Sequence, residues 1–186
     1  LWLVSIYLVM VLFAPLTIFL HKKYPYATVL ILFTMTVLVD NIEFSLNFSY
    51  IKLFNYLFFW IAIHQLGYFY ADGKIQEVNV NVFRYLTVFS YGYLFYQISV
   101  SNKYLSLASY RLSSLNNEDP PTTLYLVASI GLISLAFTLK NLIDKMLSNQ
   151  KIWLLISHIH ANIYTIYLWH LFIFFLTYLL GGSLYL

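Results

Sequence analysis

Leu1-Trp2-Leu3-Val4-Ser5-Ile6-Tyr7-Leu8-Val9-Met10-Val11-Leu12-Phe13-Ala14-Pro15-Leu16-Thr17-Ile18-Phe19-Leu20 runs without a single charge, and His21-Lys22-Lys23 closes it. A helix needs about 20 mostly apolar residues to cross a hydrocarbon core roughly 30 Å thick. This stretch has that length, and its cations stand where lipid headgroups would begin. Pro15 predicts a kink, which packing against neighbouring helices tolerates in a membrane. Pro25 then restarts the chain.

Five further stretches meet or approach the same description. Tyr26 to Val39 is short, and Asp40 and Glu43 are expected to stop it. Leu53 to Ala71 ends in Asp72-Gly73-Lys74, a turn signal. Val82 to Val100 carries Arg84 near its start, where a long side chain can snorkel to the interface. Leu124 to Leu139 follows Asn116-Asn117-Glu118-Asp119-Pro120-Pro121, the most polar loop. The last runs from Ile152 to Leu180 and stops at Gly181-Gly182. Within it Ile163 to Leu180 is the expected span, with the part before it at the interface. No stretch alternates apolar and polar residues as a barrel strand would, and no repeat or linker divides the chain. The expected fold class is all-α: one polytopic transmembrane helix bundle over residues 1–186, with about six spanning helices.

Composition agrees. Of 186 residues, 61% are hydrophobic and 9% charged, against about 25% charged in ordinary soluble domains. So little polar surface cannot face water all round, and the lipid bilayer is the expected partner. Eighteen Tyr, sixteen Phe and four Trp suit the membrane–water interface. The absence of cysteine removes disulfides and thiolate metal sites. A net charge of +3, scattered along the chain, gives no basic run interleaved with aromatics, so no nucleic-acid partner is expected. The chain opens at Leu1 in apolar sequence without a positive n-region, and it is expected to begin inside a longer protein. Lys22, Lys23, Lys74, Arg84, Lys140, Lys145 and Lys151 follow spans one, three and five, whereas only Lys52, Lys103 and Arg111 fall in the alternate loops. The positive-inside rule places the first group in the cytoplasm.

Polar groups within lipid are costly and mark candidate sites. The last segment is the richest, at Ser157-His158-Ile159-His160-Ala161-Asn162-Ile163-Tyr164-Thr165-Ile166-Tyr167-Leu168-Trp169-His170. Read as one helix at about 100° per residue, His158, Asn162, Thr165 and Trp169 share a face. His160, Tyr164 and Tyr167 lie nearly opposite, and His170 falls between. A helix polar on several sides is expected inside the bundle, lining an aqueous pocket or hydrogen-bonding its neighbours. His158 and His160 diverge by about 200°, whereas shared metal ligation wants i, i+3 or i, i+4; no metal is expected. His64 reads as a pocket residue or a neutral packing histidine, with Gly67 allowing close helix approach. Arg84 reads as a phosphate contact or an interfacial anchor. Asp40, Glu43, Asp72, Glu77 and Asp144 read as solvated charges at span ends. No Gly-rich phosphate loop and no G-x-S-x-G elbow is present.

With these residues in view, the chain resembles the C-terminal half of the acyltransferase 3 family, multi-pass membrane enzymes that move acyl groups onto carbohydrates and similar acceptors. Leu1-Trp2, leading into an apolar helix that ends Ala14-Pro15-Leu16, is similar to the family's His-Leu-Trp helix. Phe58-Phe59 followed by Gly67 resembles an internal helix, and Pro120-Pro121-Thr122 resembles a loop of some members. Tyr167-Leu168-Trp169-His170 looks like the signature of the family's last helix. The resemblance implies an acyl-CoA donor as co-substrate, no tightly bound cofactor, a carbohydrate-like hydroxyl acceptor and a bacterial plasma-membrane location. It also implies a catalytic histidine and an arginine on a helix upstream of this sequence, so these residues alone are expected to be inactive. The chemistry requires such a histidine: a sugar hydroxyl is a poor nucleophile, and an imidazole can take its proton as it attacks the thioester. His64, Arg84, His158, His160, Tyr167, Trp169 and His170 are the expected pocket-lining residues. The competing reading is a multi-pass transporter or a non-catalytic membrane scaffold, in which intramembrane His and Arg mark a permeation path.

Overall fold

The computed structural model describes residues 2–46, 49–101, 104 and 120–181. The elements are α1 (Trp2–Lys23), α2 (Pro25–Leu46), a 3-10 turn (Ser49–Leu53), α3 (Phe54–Ala71), α4 (Val80–Ser99), α5 (Thr123–Thr138), α6 (Lys140–Leu147), α7 (Gln150–Ala161) and α8 (Ile163–Gly181). No strand occurs among the described residues. The chain divides into two compact units, Leu1–Thr138 and Leu139–Leu186.

In the first unit α1 and α2 both pack on α3, and α4 packs on α5. Burial there is inverted relative to a water-soluble protein. Thr17, His21, Thr36, Asp40, Asn55, Gln65 and Ser134 are buried, while Leu12, Leu30, Val88 and Phe89 stand 68% or more exposed. Hydrocarbon tolerates that outer surface, and it forces polar side chains to find partners within the bundle. A small apolar cluster of Leu94, Tyr104, Leu124 and Ala128 joins α4 to α5. The two helices lie close together at Gly131, where an added Cβ would stand 3.0 Å from the Ser90 Cβ. Phe83 stacks on Phe137 farther along, with centroids 4.9 Å apart.

Every expected apolar stretch falls on helix, but not every helix qualifies as a span. Ser5–Lys23 and Pro25–Leu46 are long and apolar enough to cross a membrane, and the total reaches four if each of two bent helix pairs counts as one span. The polar residues Asn55, His64 and Gln65 in α3, and Asn81, Arg84 and Gln97 in α4, dilute those helices. With 16 residues, α5 is about 24 Å long, short of the core thickness by itself.

Two boundaries differ from expectation for identifiable reasons. The second helix runs through Asp40 and Glu43 to Leu46, because Asp40 finds partners inside the unit and does not need water. The last stretch is not one helix. It breaks at Asn162, where α7 and α8 meet at 62°. The Asn162 N–H donates to the carbonyls of His158 and Ile159, and its side-chain Nδ2 donates to His158 at 2.8 Å. That local capping competes with helix continuation, as short amide side chains do.

Candidate functional site

Polar side chains of the first unit gather at two places, and neither contains a residue singled out as pocket-lining from sequence. The first joins α1 to α3. Thr17 and His21 are one turn apart on α1; Gln65, Tyr68 and Asp72 follow at i, i+3 and i+7 along α3, so each set forms one stripe. Gln65 Nε2 donates to the Thr17 carbonyl at 2.9 Å, which turns its Oε1 toward His21 Nδ1 at 3.1 Å. His21 Nε2 meets Asp72 Oδ2 at 3.1 Å, and Lys74 Nζ reaches the same oxygen at 3.0 Å. The Thr17 and Tyr68 hydroxyls lie 3.2 Å apart, and the Phe69 ring edge packs on His21 at 4.9 Å.

His21 is thus engaged at both ring nitrogens, by Gln65 Oε1 on one side and by Asp72 Oδ2 on the other. Hydrogen bonds from Lys74 and then from His21 hold the Asp72 carboxyl below its ordinary pKa. Asp72 caps the C-terminus of α3, where the helix dipole disfavours an anion, and Lys74 together with the His21 contact offsets that. Gly73 has φ 79°, a left-handed turn that suits glycine and folds Lys74 back over Asp72.

The second cluster ties α2 to α3 and to the start of α5. Asp40, 3% exposed, accepts at Oδ2 from the Tyr104 hydroxyl at 2.5 Å and from the Thr123 N–H at 3.3 Å. Thr123 opens α5, where Thr122 Oγ1 accepts from the Tyr125 N–H at 3.4 Å, and Asp40 supplies a second acceptor to the same helix N-terminus. One turn earlier on α2, the Thr36 carbonyl accepts from Asn55 Nδ2 at 3.2 Å, and the Pro121 carbonyl accepts from the same nitrogen at 3.0 Å. Burial first, and then the bond to Asp40, push the Tyr104 hydroxyl well above the ordinary tyrosine pKa.

The residues expected to line a pocket are scattered. His64 is half-buried on α3 with its ring 4.7 Å from Tyr68, and its Nδ1 has no hydrogen-bond partner among the described residues. Arg84 is exposed on α4 and donates to Asn81 Oδ1 at 3.0 Å, a surface role. In the second unit His158 and His160 are exposed near the end of α7, and His170 and Trp169 are exposed on α8. Tyr167 is half-buried, with its ring 6.2 Å from His170. The break at Asn162 divides the single helix on which two opposed polar faces were expected, leaving His158 and His160 on α7 and Tyr167, Trp169 and His170 on α8. Gly67 has nothing within 4 Å of an added Cβ, so the close helix approach expected there occurs at Gly131 instead.

Asp40 and His21 are not legible as site residues from sequence, where Asp40 reads as a solvated charge at a span end and His21 only closes the first apolar run with Lys22 and Lys23. A signal was present: Thr36 and Asp40, like Thr17 and His21, pair polar residues at i, i+4 within otherwise apolar helix. An apolar groove of about 430 Å³ also opens between α1 and α3, lined by Ser5, Ile6, Val9, Met10, Tyr56 and Leu57 among others, and among the described residues no His, Asp, Glu, Lys or Arg lines it. Among the described residues no three His, Cys, Asp or Glu side chains are grouped to hold a metal ion. No family model matches the chain, and neither a curated protein nor a solved structure does.

Proposed function

We propose that the chain is the C-terminal half of a multi-pass membrane acyltransferase with about six spans, using acyl-CoA to acylate a hydroxyl of a carbohydrate-like acceptor at a bacterial plasma membrane. One observation supports this reading above the others. Three of the four stretches that carry the acyltransferase 3 resemblance pack together in the first unit. The helix containing Ala14-Pro15-Leu16 is fastened to the Phe58-Phe59 helix by His21, Gln65 and Asp72, and Asn55 of that same helix holds the Pro121 carbonyl. Stretches that are distant in sequence thus form one scaffold, as parts of a single family domain should.

His21 does not serve as the base in this reading. Both of its ring nitrogens are taken up by Gln65 and Asp72, so neither is turned to a substrate hydroxyl. Its place is to clamp α1 and α3, and the reading leaves proton abstraction to a histidine outside these residues.

The test uses membranes containing the full-length protein, incubated with labelled acyl-CoA and candidate acceptors. Saturable transfer of label to a hydroxyl is expected, and failure to bind or consume any acyl-CoA overturns the reading. His170→Ala, assayed for product acylation and for protein level in the membrane, then separates a role in transfer from a role in assembly.

A further inference from the structure

The segment Leu139-Lys140-Asn141-Leu142-Ile143-Asp144-Lys145-Met146-Leu147-Ser148 forms α6 and its caps. At about 100° per residue, Leu139, Leu142, Ile143, Met146 and Leu147 fall within one arc of roughly 140°. Asn141, Asp144 and Ser148 fill the middle of the opposite arc. Lys140 and Lys145 stand at its two borders, one on each side of the apolar strip. No residue of α6 is buried: Leu142 is 55% exposed and Met146 52%.

We propose that α6 lies flat in the membrane–water interface, with its apolar strip in the acyl-chain region and Lys140 and Lys145 on the headgroups of anionic phospholipids. Three observations identify lipid as the occupant. First, at eight residues the helix is about 12 Å long, too short to cross and suited to lie in the plane. Second, bordering lysines are placed so that their stems reach up from the apolar strip to the phosphate level on both sides at once, a symmetry that a planar surface requires. Third, Lys140, Lys145 and Lys151 stand against Asp144 alone, and the Lys and Arg distribution places this loop on the cytoplasmic side, where anionic lipids are concentrated. Asp144 pairs with Lys140 at i, i+4, which leaves Lys145 the freer of the two for phosphate. Trp153, 54% exposed on the following helix, is the residue type that favours the same layer.

The chain contains no cysteine, so single labels can be placed without background. Ile143→Cys, Met146→Cys and Asp144→Cys, each in the full chain, would carry a small fluorophore in vesicles of phosphatidylcholine with and without phosphatidylglycerol. Lipids bearing a nitroxide near the headgroup serve as quenchers. The labels at positions 143 and 146 should be quenched and the one at 144 should not, and in the unlabelled variants the thiol at 144 should react with a water-soluble maleimide faster than those at 143 and 146. Phosphatidylglycerol should strengthen the quenching, and Lys145→Gln and Lys140→Gln should each reduce that preference by up to about fivefold. Equal quenching at all three positions would overturn the flat orientation. Protection of positions 143 and 146 from both quencher and maleimide would show a protein partner instead of lipid. Quenching that ignores phosphatidylglycerol would overturn the anionic headgroup contact.

Discussion

Asp72 and Asp40 each receive two hydrogen bonds at one carboxylate oxygen from described residues, yet their surroundings are opposite. The Asp72 side chain is 45% exposed and is held by His21 and Lys74. Asp40 is 3% exposed and is held by a tyrosine hydroxyl and a backbone N–H. The difference follows from the helix ends they face. Asp72 sits at the C-terminus of α3, where the dipole repels an anion, and Lys74 and the His21 ring gather to offset it. Asp40 faces the N-terminus of α5, where the dipole attracts an anion. An acid inside an apolar bundle can therefore be satisfied by the backbone itself when a helix start is aimed at it.

Removing the acid at the buried cluster should produce the largest effect. Asp40→Ala removes the buried acceptor of the Thr123 N–H and of the Tyr104 hydroxyl, a loss of about 3 kcal/mol. Asp40→Asn keeps one acceptor and should recover roughly half of it. Denaturation of the purified protein in detergent measures both, and an unchanged midpoint for Asp40→Ala would show that the cluster does not hold α5. Packing comes next. Gly131→Val drives two methyl groups against Ser90 and should cost about 2 kcal/mol, while Gly67→Ala should stay within about 0.5 kcal/mol. If the two glycines tolerate substitution equally, the closest approach is not between α4 and α5.

The two clusters should also fail at opposite ends of the pH scale. Asp72 has a depressed pKa, so its contribution is present above the ordinary carboxylate value, about 3.9, and is lost as pH falls through the depressed one. Tyr104 has a raised pKa, so its contribution is present below the ordinary tyrosine value, about 10, and is lost as pH rises beyond it. Melting temperature against pH should fall on both sides. Asp72→Asn should flatten the acid limb alone, and Tyr104→Phe the alkaline limb alone; a limb that persists in its own variant has another origin. The smallest change is expected from Arg84→Ala. With its side chain exposed and bonded only to Asn81 among the described residues, stability should move by less than about 0.5 kcal/mol.

From the sequence alone came the helical class, the positions of the apolar helices and most of their boundaries. Uninterrupted apolar runs closed by Lys, Pro or Gly permit little else, because backbone groups in hydrocarbon must bond within their own segment. The restart at Pro25 and the turn at Asp72-Gly73-Lys74 were legible for the same local reason. Tertiary structure decided which polar residues matter. Asp40 and His21 look like boundary charges until α5 and α3 are placed against them, and that placement depends on contacts 83 and 51 residues away in the chain. It also decided that Asn162 breaks the last helix, since an asparagine within an apolar run can either continue the helix or cap it. Periodicity assigns a residue to a face of its own helix, but the energy of a buried polar group is set by the partner across from it, and that partner is a property of the packed chain.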